Sequence, residues 1–212
     1  MALFETRSSE TVFRGVVATV RIDQVEMPGG DVAAREVVEH DRAVAVVALD
    51  DAGDVVLIEQ YRHPLGHRLW ELPAGLMDAD GEPALLAAQR ELVEETGLTA
   101  GRWQLLVDVA VSPGFTTEAV RVFLARELTD LGRPAEIRHE EADLRIVRVP
   151  LAGAVEAALD GRIVNASALA GILAADRALG DGRALRAADE PWDGGPAVIS
   201  PAAPDLTPDP HW

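Results

Sequence analysis

The amino-acid sequence predicts an α+β fold, in which a mixed β-sheet is flanked by one central helix and a C-terminal pair of helices. Three observations predict it. Short apolar or alternating segments, typical of strands, dominate the N-terminal half. One well-delimited helical pattern then interrupts the later strands, and helical spacing returns after Pro150. With 212 residues and 48% hydrophobic content, the chain is long enough for one domain with a small appendage.

Short strands are predicted throughout the N-terminal half. Apolar alternation over residues 11–25 predicts two strands, and a third at residues 32–40 follows the turn sequence MPGGD. Two apolar runs at residues 43–50 and 55–61, joined by DAGD, predict a hairpin. Four later segments have the same character, at residues 68–72, 103–111, 119–127 and 143–150.

The central helix is predicted over residues 83–96. Pro83 suits the first helical position, and Gly97 suits the left-handed residue that follows a helix. An apolar stripe that must face a core is formed by Leu85, Ala88, Leu92 and Val93. After Pro150, two further helices are predicted at residues 151–161 and 165–180.

Composition limits the classes of function. The 36 acidic and 19 basic residues give a net charge of −17, which argues against a nucleic-acid surface. The absence of cysteine excludes disulfides and thiolate metal sites. The N-terminus does not resemble a signal peptide, and no run approaches the about 18 apolar residues of a membrane span. We therefore expect a cytoplasmic protein without membrane association.

Three glutamates on the predicted central helix indicate chemistry. Glu91 lies three residues before Glu94 and four before Glu95, so the side chains share one helix face. Like charges at this spacing destabilise a bare helix, and the helix C-terminus disfavours anions. A divalent cation would resolve the conflict, because Mg²⁺ takes hard oxygen ligands and retains waters and phosphate oxygens.

The residues around these glutamates resemble the Nudix box. The matching series consists of Gly75, Glu82, Arg90, Glu91, Leu92, Glu94, Glu95, Gly97 and Leu98. Six residues separate Gly75 from Glu82, whereas the usual box has five. The flanking segments YRHPLGHRLWELPAGL, SPGFTTEAVRVF, HEEAD and GRIVNASALAGIL are similar to those of bacterial ADP-ribose pyrophosphatases.

The resemblance implies a Nudix αβα sandwich with a mixed β-sheet, an N-terminal β extension and a disordered C-terminal tail. We expect N-terminal strands at residues 1–40, a Nudix catalytic domain at residues 41–180 and a flexible Pro- and Gly-rich tail at residues 181–212. The implied reaction is hydrolysis of ADP-ribose to AMP and ribose 5-phosphate with Mg²⁺, or alternatively Mn²⁺. A small-molecule nucleotide sugar would be the partner, and the N-terminal strands would form a homodimer.

Site roles follow from the same resemblance. Glu91, Glu95 and the backbone carbonyl of Ala74 are the expected metal ligands. Glu94 is expected to pair with Arg90 and to orient the cluster. The general base is expected on a loop outside the box, where Glu141 is preferred and Glu140 is the alternative.

The substrate is expected to contact four further residues. Arg62 follows a buried-looking strand and suits bidentate contact with the pyrophosphate. Arg35 resembles a family arginine that acts across the dimer. Glu118 matches a position that accepts hydrogen bonds from the terminal ribose, and Gly114 lies in the same SPGFTT segment.

Two alternative functions stay open on the sequence. The chain could be a Nudix pyrophosphatase of another nucleoside diphosphate derivative or nucleotide. It could also be a sensor that binds a nucleotide sugar without cleaving it, although a pure sensor has no need for all the box carboxylates.

Overall fold

A computed structural model describes residues 4–77, 81–133 and 144–192 and confirms the predicted α+β class. None of its helices is long and apolar enough to cross a membrane, as far as these residues extend. In chain order the strands are β1 (Glu5–Arg14), β2 (Ala18–Glu26), β3 (Val32–His40), β4 (Ala43–Ala48), β5 (Asp54–Arg62), β6 (His67–Glu71), β7 (Ala74–Leu76), β8 (Leu98–Ala110), β9 (Ala119–Asp130), β10 (Arg145–Pro150) and β11 (Arg186–Ala187). The helices are α1 (Ala84–Thr96), α2 (Leu151–Leu159) and α3 (Ala166–Gly180).

A five-stranded mixed sheet forms the centre of the domain, with the strand order β11-β8-β9-β4-β7. Strand β4 is parallel to β9 and antiparallel to β7. A second, antiparallel sheet has the order β10-β5-β6. The short strand β7 therefore lies at the edge of the central sheet, next to β4.

Apolar cores cover both faces of the central sheet, which confirms the predicted αβα sandwich. On one face, Leu92 of α1 is fully buried in a cluster with Val46 and Phe123. On the other face, Ile172 of α3 is fully buried with Val47. The alternation of apolar side chains along β4 and β9 supplies both clusters, because successive strand residues point to opposite faces.

Helix α1 has nearly the predicted limits. Pro83 is extended and precedes the first helical residue, Ala84, instead of occupying the first helical position. Gly97 has a φ of 74°, and its N–H donates to the Val93 carbonyl oxygen at 2.8 Å. The glycine is required here, because a Cβ would also lie only 2.6 Å from the backbone of Gly132.

The N-terminal strands form a separate antiparallel sheet, β1-β2-β3. All ten residues of β1 are exposed. The sheet is joined to the domain at the end of β3, where the Val38 N–H donates to the Phe115 carbonyl oxygen at 2.7 Å. The Thr117 N–H donates in return to the Val38 carbonyl oxygen at 3.0 Å. This connection fixes the loop between β8 and β9 against the N-terminal sheet.

Part of the segment predicted as a flexible tail is attached to the domain. Strand β11 pairs with Gln104 and Leu105 of β8. Trp192 contacts two arginine side chains of the central domain. The first twelve residues of the predicted tail therefore belong to the folded structure, because backbone pairing and cation–π contacts hold them. Residues 193–212 lie outside the described part.

Candidate active site

A cavity of about 680 Å³ opens where the edges of both sheets meet the start of α3. Strands β4, β5, β6 and β7 line it, together with the segment before β9. Three of the predicted site residues face this cavity, namely Ala74, Arg62 and Glu118. The fold thus brings together positions from separate parts of the chain.

Glu91 and Glu95 lie next to the cavity wall formed by β7. The two residues are only 7% and 4% exposed, although charged side chains are usually found at the surface. The Ala74 N–H donates to Oε2 of Glu95 at 2.9 Å. Gly75 faces Glu91, and a Cβ on Gly75 would overlap the Glu91 carboxylate. The close approach of β7 to α1 therefore depends on this glycine.

Arg90 donates hydrogen bonds to three carboxylates of the Nudix-box segment. Its Nη1 donates to Glu91 at 2.5 Å and to Glu94 at 3.2 Å. Its Nε and Nη2 donate to Glu82 at 3.3 and 3.2 Å, and Nη2 also donates to the Leu76 carbonyl oxygen at 3.0 Å. The hydrogen bond with Glu82 is the main cause that raises the pKa of Arg90 above its ordinary value. Arg90 thus stays charged and lies at the centre of the cluster.

The extra residue between Gly75 and Glu82 does not remove Glu82 from the cluster. Glu82 still reaches Arg90, as the two contacts above show. The predicted role of Glu94 as an organiser of the cluster agrees with its contact to Arg90, and stays a prediction.

The donor groups at this site fit a hard divalent cation. Two buried carboxylates one helical turn apart face the backbone of Ala74 and Gly75, and buried anions require a cationic or dipolar partner. No group of three or more His, Cys, Asp or Glu side chains is arranged to hold a metal in residues 4–77, 81–133 and 144–192. Two carboxylates and a backbone carbonyl would leave the remaining positions to water and phosphate oxygens, as Mg²⁺ prefers.

Arg62 is held in a two-point ion pair with Glu71. Its Nε and Nη2 donate to the two carboxylate oxygens of Glu71 at 2.8 and 2.6 Å. Glu71 is 2% exposed, whereas the Arg62 side chain is 40% exposed. The buried carboxylate orients the guanidinium at the cavity wall, so an anionic ligand would share Arg62 with Glu71.

The other predicted positions are placed differently. Gly114 is exposed in the loop before β9 and does not line the cavity. Arg35 lies on the N-terminal sheet, where Nη1 donates to the Ala34 carbonyl oxygen at 2.9 Å. The fold of one chain therefore does not bring Arg35 or Gly114 to the cavity. Glu140 and Glu141 lie outside the described residues.

Cavity residues that sequence reasoning missed include Gln60, Glu71, Asn165 and Ser167. Glu71 is a charged residue in an apolar strand and lies two residues after Leu69. Side chains two residues apart in a strand point to the same face, and this spacing could have predicted that Glu71 and Leu69 share one face. Asn165 is the N-cap of α3, where its Oδ1 accepts from the Ala168 N–H at 2.9 Å and from the Ser167 hydroxyl at 2.7 Å. An Asn before a helical pattern predicts a cap, but not a cavity position.

Residues 186–192, the C-terminal strap, contact Arg42, the residue that precedes β4. The guanidinium groups of Arg42 and Arg121 lie 5.2 and 4.7 Å from the centroid of the Trp192 ring. Arg42 donates to the Trp192 carbonyl oxygen at 2.8 Å. The carbonyl oxygen of Arg42 accepts from the Met77 N–H at 3.0 Å. A continuous set of contacts thus joins the strap to the end of β7.

Arg121 connects the strap to the sheet. Its guanidinium is 3% exposed and donates to both carboxylate oxygens of Asp108 at 2.8 and 3.2 Å. Its Nη1 also donates to the Glu190 carbonyl oxygen at 2.7 Å. A buried arginine with these partners holds the strap in one position.

Replacing Trp192 should loosen the strap. We expect Trp192→Ala to lower the free energy of unfolding by about 1–2 kcal/mol, because two cation–π contacts are lost. Trp192→Phe keeps an aromatic ring and should lose about half as much. Urea denaturation measures both values. An unchanged stability of the alanine variant would contradict the role of the strap.

Gly75→Ala should disrupt the expected metal site. The new Cβ would displace the Glu91 carboxylate, so the affinity for Mn²⁺ should fall by on the order of 10–100-fold. Electron paramagnetic resonance of Mn²⁺ measures the affinity without an assay of activity. Gly153→Ala is the matched control, because a Cβ there meets no atom within 4 Å. Equal affinities in the two variants would contradict the close approach at Gly75.

Comparison with known proteins identifies similar chains. The family model for the NUDIX domain matches residues 39–166. ADP-ribose pyrophosphatase of Mycobacterium tuberculosis is 56% identical over 171 residues, which cover 81% of this chain and 82% of the relative. ADP-ribose pyrophosphatase of Bacillus subtilis is 40% identical over 137 residues, 65% of this chain and 74% of the relative.

A solved structure described as an ADP compounds hydrolase superposes with a TM-score of 0.72 at 25% identity, covering 85% of this chain and 97% of that chain. The matched family model spans more than half of the 212 residues and contains both buried glutamates and the glycine that faces them. The chain therefore belongs to the Nudix family.

Proposed function

We propose that this chain is a metal-dependent hydrolase that cleaves the pyrophosphate bond of ADP-ribose to give AMP and ribose 5-phosphate. The placement of Glu91 and Glu95 against β7, beside a cavity that Arg62 and Glu118 also line, carries this proposal. The two relatives described above are named for the same substrate.

The cavity has the size and polarity for a nucleotide sugar. Its volume of about 680 Å³ is in the range of small-molecule sites. Its walls combine apolar side chains such as Leu65, Leu69 and Val111 with the polar residues Gln60 and Glu118. Such a surface can bury the apolar faces of a base and sugars while a few polar groups fix orientation.

A cation is required for this substrate to bind beside the glutamates. Buried carboxylates and a pyrophosphate repel each other, and Arg90 is already engaged by three glutamates. Ala74, Glu91 and Glu95 would hold Mg²⁺ or Mn²⁺. When bound, the ion supplies an activated water and neutralises charge on the leaving phosphate.

The protein's own groups would position the substrate. Arg62, oriented by Glu71, would bind the pyrophosphate oxygens, and Glu118 would accept hydrogen bonds from the terminal ribose. Arg90 would keep Glu91 and Glu94 in place.

A glutamate before β10 would act as the general base, with Glu141 preferred over Glu140. Arg145, the first residue of β10, pairs with Glu59 of β5. The next residue of β5, Gln60, lines the cavity. The chain therefore enters β10 beside the cavity end of β5, which supports a base from this segment.

Hydrolysis is tested by AMP release. The purified protein should form AMP from ADP-ribose with Mg²⁺, and Glu95→Gln should lower kcat by at least about 100-fold. A glutamine oxygen can still accept from the Ala74 N–H, so the circular dichroism and the stability should be retained. Glu156→Gln, on the exposed side of α2, is the control.

Two results would refute separate parts of the proposal. Normal turnover by Glu95→Gln would refute the metal assignment. Absence of AMP from ADP-ribose, NADH and ADP-sugars across several divalent metals would refute the function itself.

A homodimer formed through the N-terminal sheet completes the proposal. Six apolar side chains in or next to this sheet are at least half exposed, namely Phe4, Val12, Phe13, Val16, Val17 and Val32. Such an apolar surface favours association. Arg35 would reach the cavity of the partner subunit, since it does not line that of its own chain. The expected cytoplasmic location stays a prediction.

A dimer that contains one subunit of each of two variants tests the role of Arg35. Arg35→Ala and Glu95→Gln should each have low activity, and their coexpression should restore part of it, because one cavity in the mixed dimer has both groups. Activity that stays at the level of the single variants, or a monomer in sedimentation velocity, would contradict this arrangement.

A further inference from the structure

A second cavity, of about 390 Å³, is lined by three arginines. Arg102 comes from β8, Arg126 from β9, and Arg183 from the turn that follows α3. Gln104 and the apolar residues Leu179 and Leu185 also line this cavity. We call this region the arginine cavity.

Two of the arginines bring like charges to opposed positions on neighbouring strands. Arg102 and Arg126 are directly opposed in the antiparallel ladder of β8 and β9. Directly opposed strand residues have Cβ atoms about 4.5–5.5 Å apart, and like charges there are destabilising. In the described part of the chain, no carboxylate forms an ion pair with Arg102, Arg126 or Arg183. The net charge of −17 makes such an unneutralised group of cations conspicuous.

Arg126 also has an unsatisfied buried donor. Its Nη2 donates to Oε1 of Gln104 at 2.7 Å, which orients the guanidinium. Its Nε is buried and has no hydrogen-bond partner within the described structure. A buried N–H without a partner costs about 1–3 kcal/mol, and more when the group is charged. An acceptor atom that enters the cavity would remove this cost.

The acidic groups nearest to the cavity in residues 4–77, 81–133 and 144–192 are engaged elsewhere or do not line it. Asp181 is paired with Arg177 at 2.8 Å. The carboxylate of Glu127 lies near Gly101 on the neighbouring strand and does not line the cavity. The C-terminal end of α3 faces the cavity with a partial charge of about −0.5, which is too small to balance three guanidinium groups. The cavity therefore has an excess of positive charge and donors.

We propose that the arginine cavity is a binding site for a phosphate group, either free or carried by a small sugar phosphate. Guanidinium groups match the geometry of phosphate oxygens and donate in pairs. A phosphate would separate the opposed charges of Arg102 and Arg126 and supply an acceptor for the buried Nε. The volume also admits a small attached group.

This site is separate from the cavity of about 680 Å³ beside the glutamates. Ser167, at the start of α3, lines the cavity beside the glutamates, whereas Ala178, at the end of α3, lines the arginine cavity. A rise of 1.5 Å per residue places these positions about 17 Å apart along the helix. The proposal does not depend on the reaction that the glutamates catalyse.

Calorimetry and thermal unfolding test the site with inorganic phosphate as the probe. In dilute zwitterionic buffer, Arg102→Gln should raise Tm, because it removes the repulsion with Arg126.

Phosphate should raise the Tm of the unchanged protein above the value in sodium chloride of equal ionic strength. Arg102→Gln and Arg183→Gln should bind phosphate at least about tenfold more weakly. Arg162→Gln, whose arginine is exposed and paired with Asp160, is the control.

The variant Arg62→Lys distinguishes phosphate binding beside the glutamates from phosphate binding in the arginine cavity. If it removes the phosphate effect while Arg102→Gln preserves it, phosphate binds only beside the glutamates and the proposal is overturned. A lower Tm of Arg102→Gln in the dilute buffer would also overturn it, because the pair would then be stabilising without an anion. Ribose 5-phosphate, used in place of phosphate, shows whether the bound phosphate group is free or part of a sugar phosphate. Tighter binding of ribose 5-phosphate assigns the site to a sugar phosphate, and equal binding assigns it to the free anion.

Discussion

The contact between β7 and α1 is the constraint on which the site depends. Glu95 is bound by the Ala74 N–H, and Glu91 occupies the space that a side chain on Gly75 would fill. Both carboxylates are thereby buried beside the edge of the sheet instead of extending into water. Burial makes these carboxylates depend on partners, and the structure supplies the Arg90 guanidinium for Glu91 and the Ala74 N–H for Glu95.

Arginines bind several of the acidic groups around the expected metal site. Arg90 joins Glu82, Glu91 and Glu94, and Arg62 holds Glu71 at the cavity wall. In each case a planar guanidinium satisfies several oxygens at fixed positions, which a flexible ammonium does less well. The arginine cavity is the contrasting case, because its cations face one another without a carboxylate.

Much of the fold was predictable because apolar periodicity reports which face of an element is buried. The helix before Gly97 and the strands β4, β5 and β9 follow from such local patterns. The predicted hairpin of residues 43–50 and 55–61 was wrong, because β4 and β5 pair with other strands in two different sheets, and the short strand β7 was not predicted. The limits of the tail were not predictable in this way. Trp192 is held by Arg42 and Arg121, which are distant in sequence, and no local pattern reports such a contact.

The sequence by itself determined the fold class, the helix that presents Glu91 and Glu95, and the resemblance to the Nudix family, because these depend on residue type and short spacing. Only the tertiary structure decided that the glutamates are buried, that Glu71 orients Arg62, and that Arg102 opposes Arg126. Those features arise from strand register and helix packing, which bring together residues that are remote along the chain.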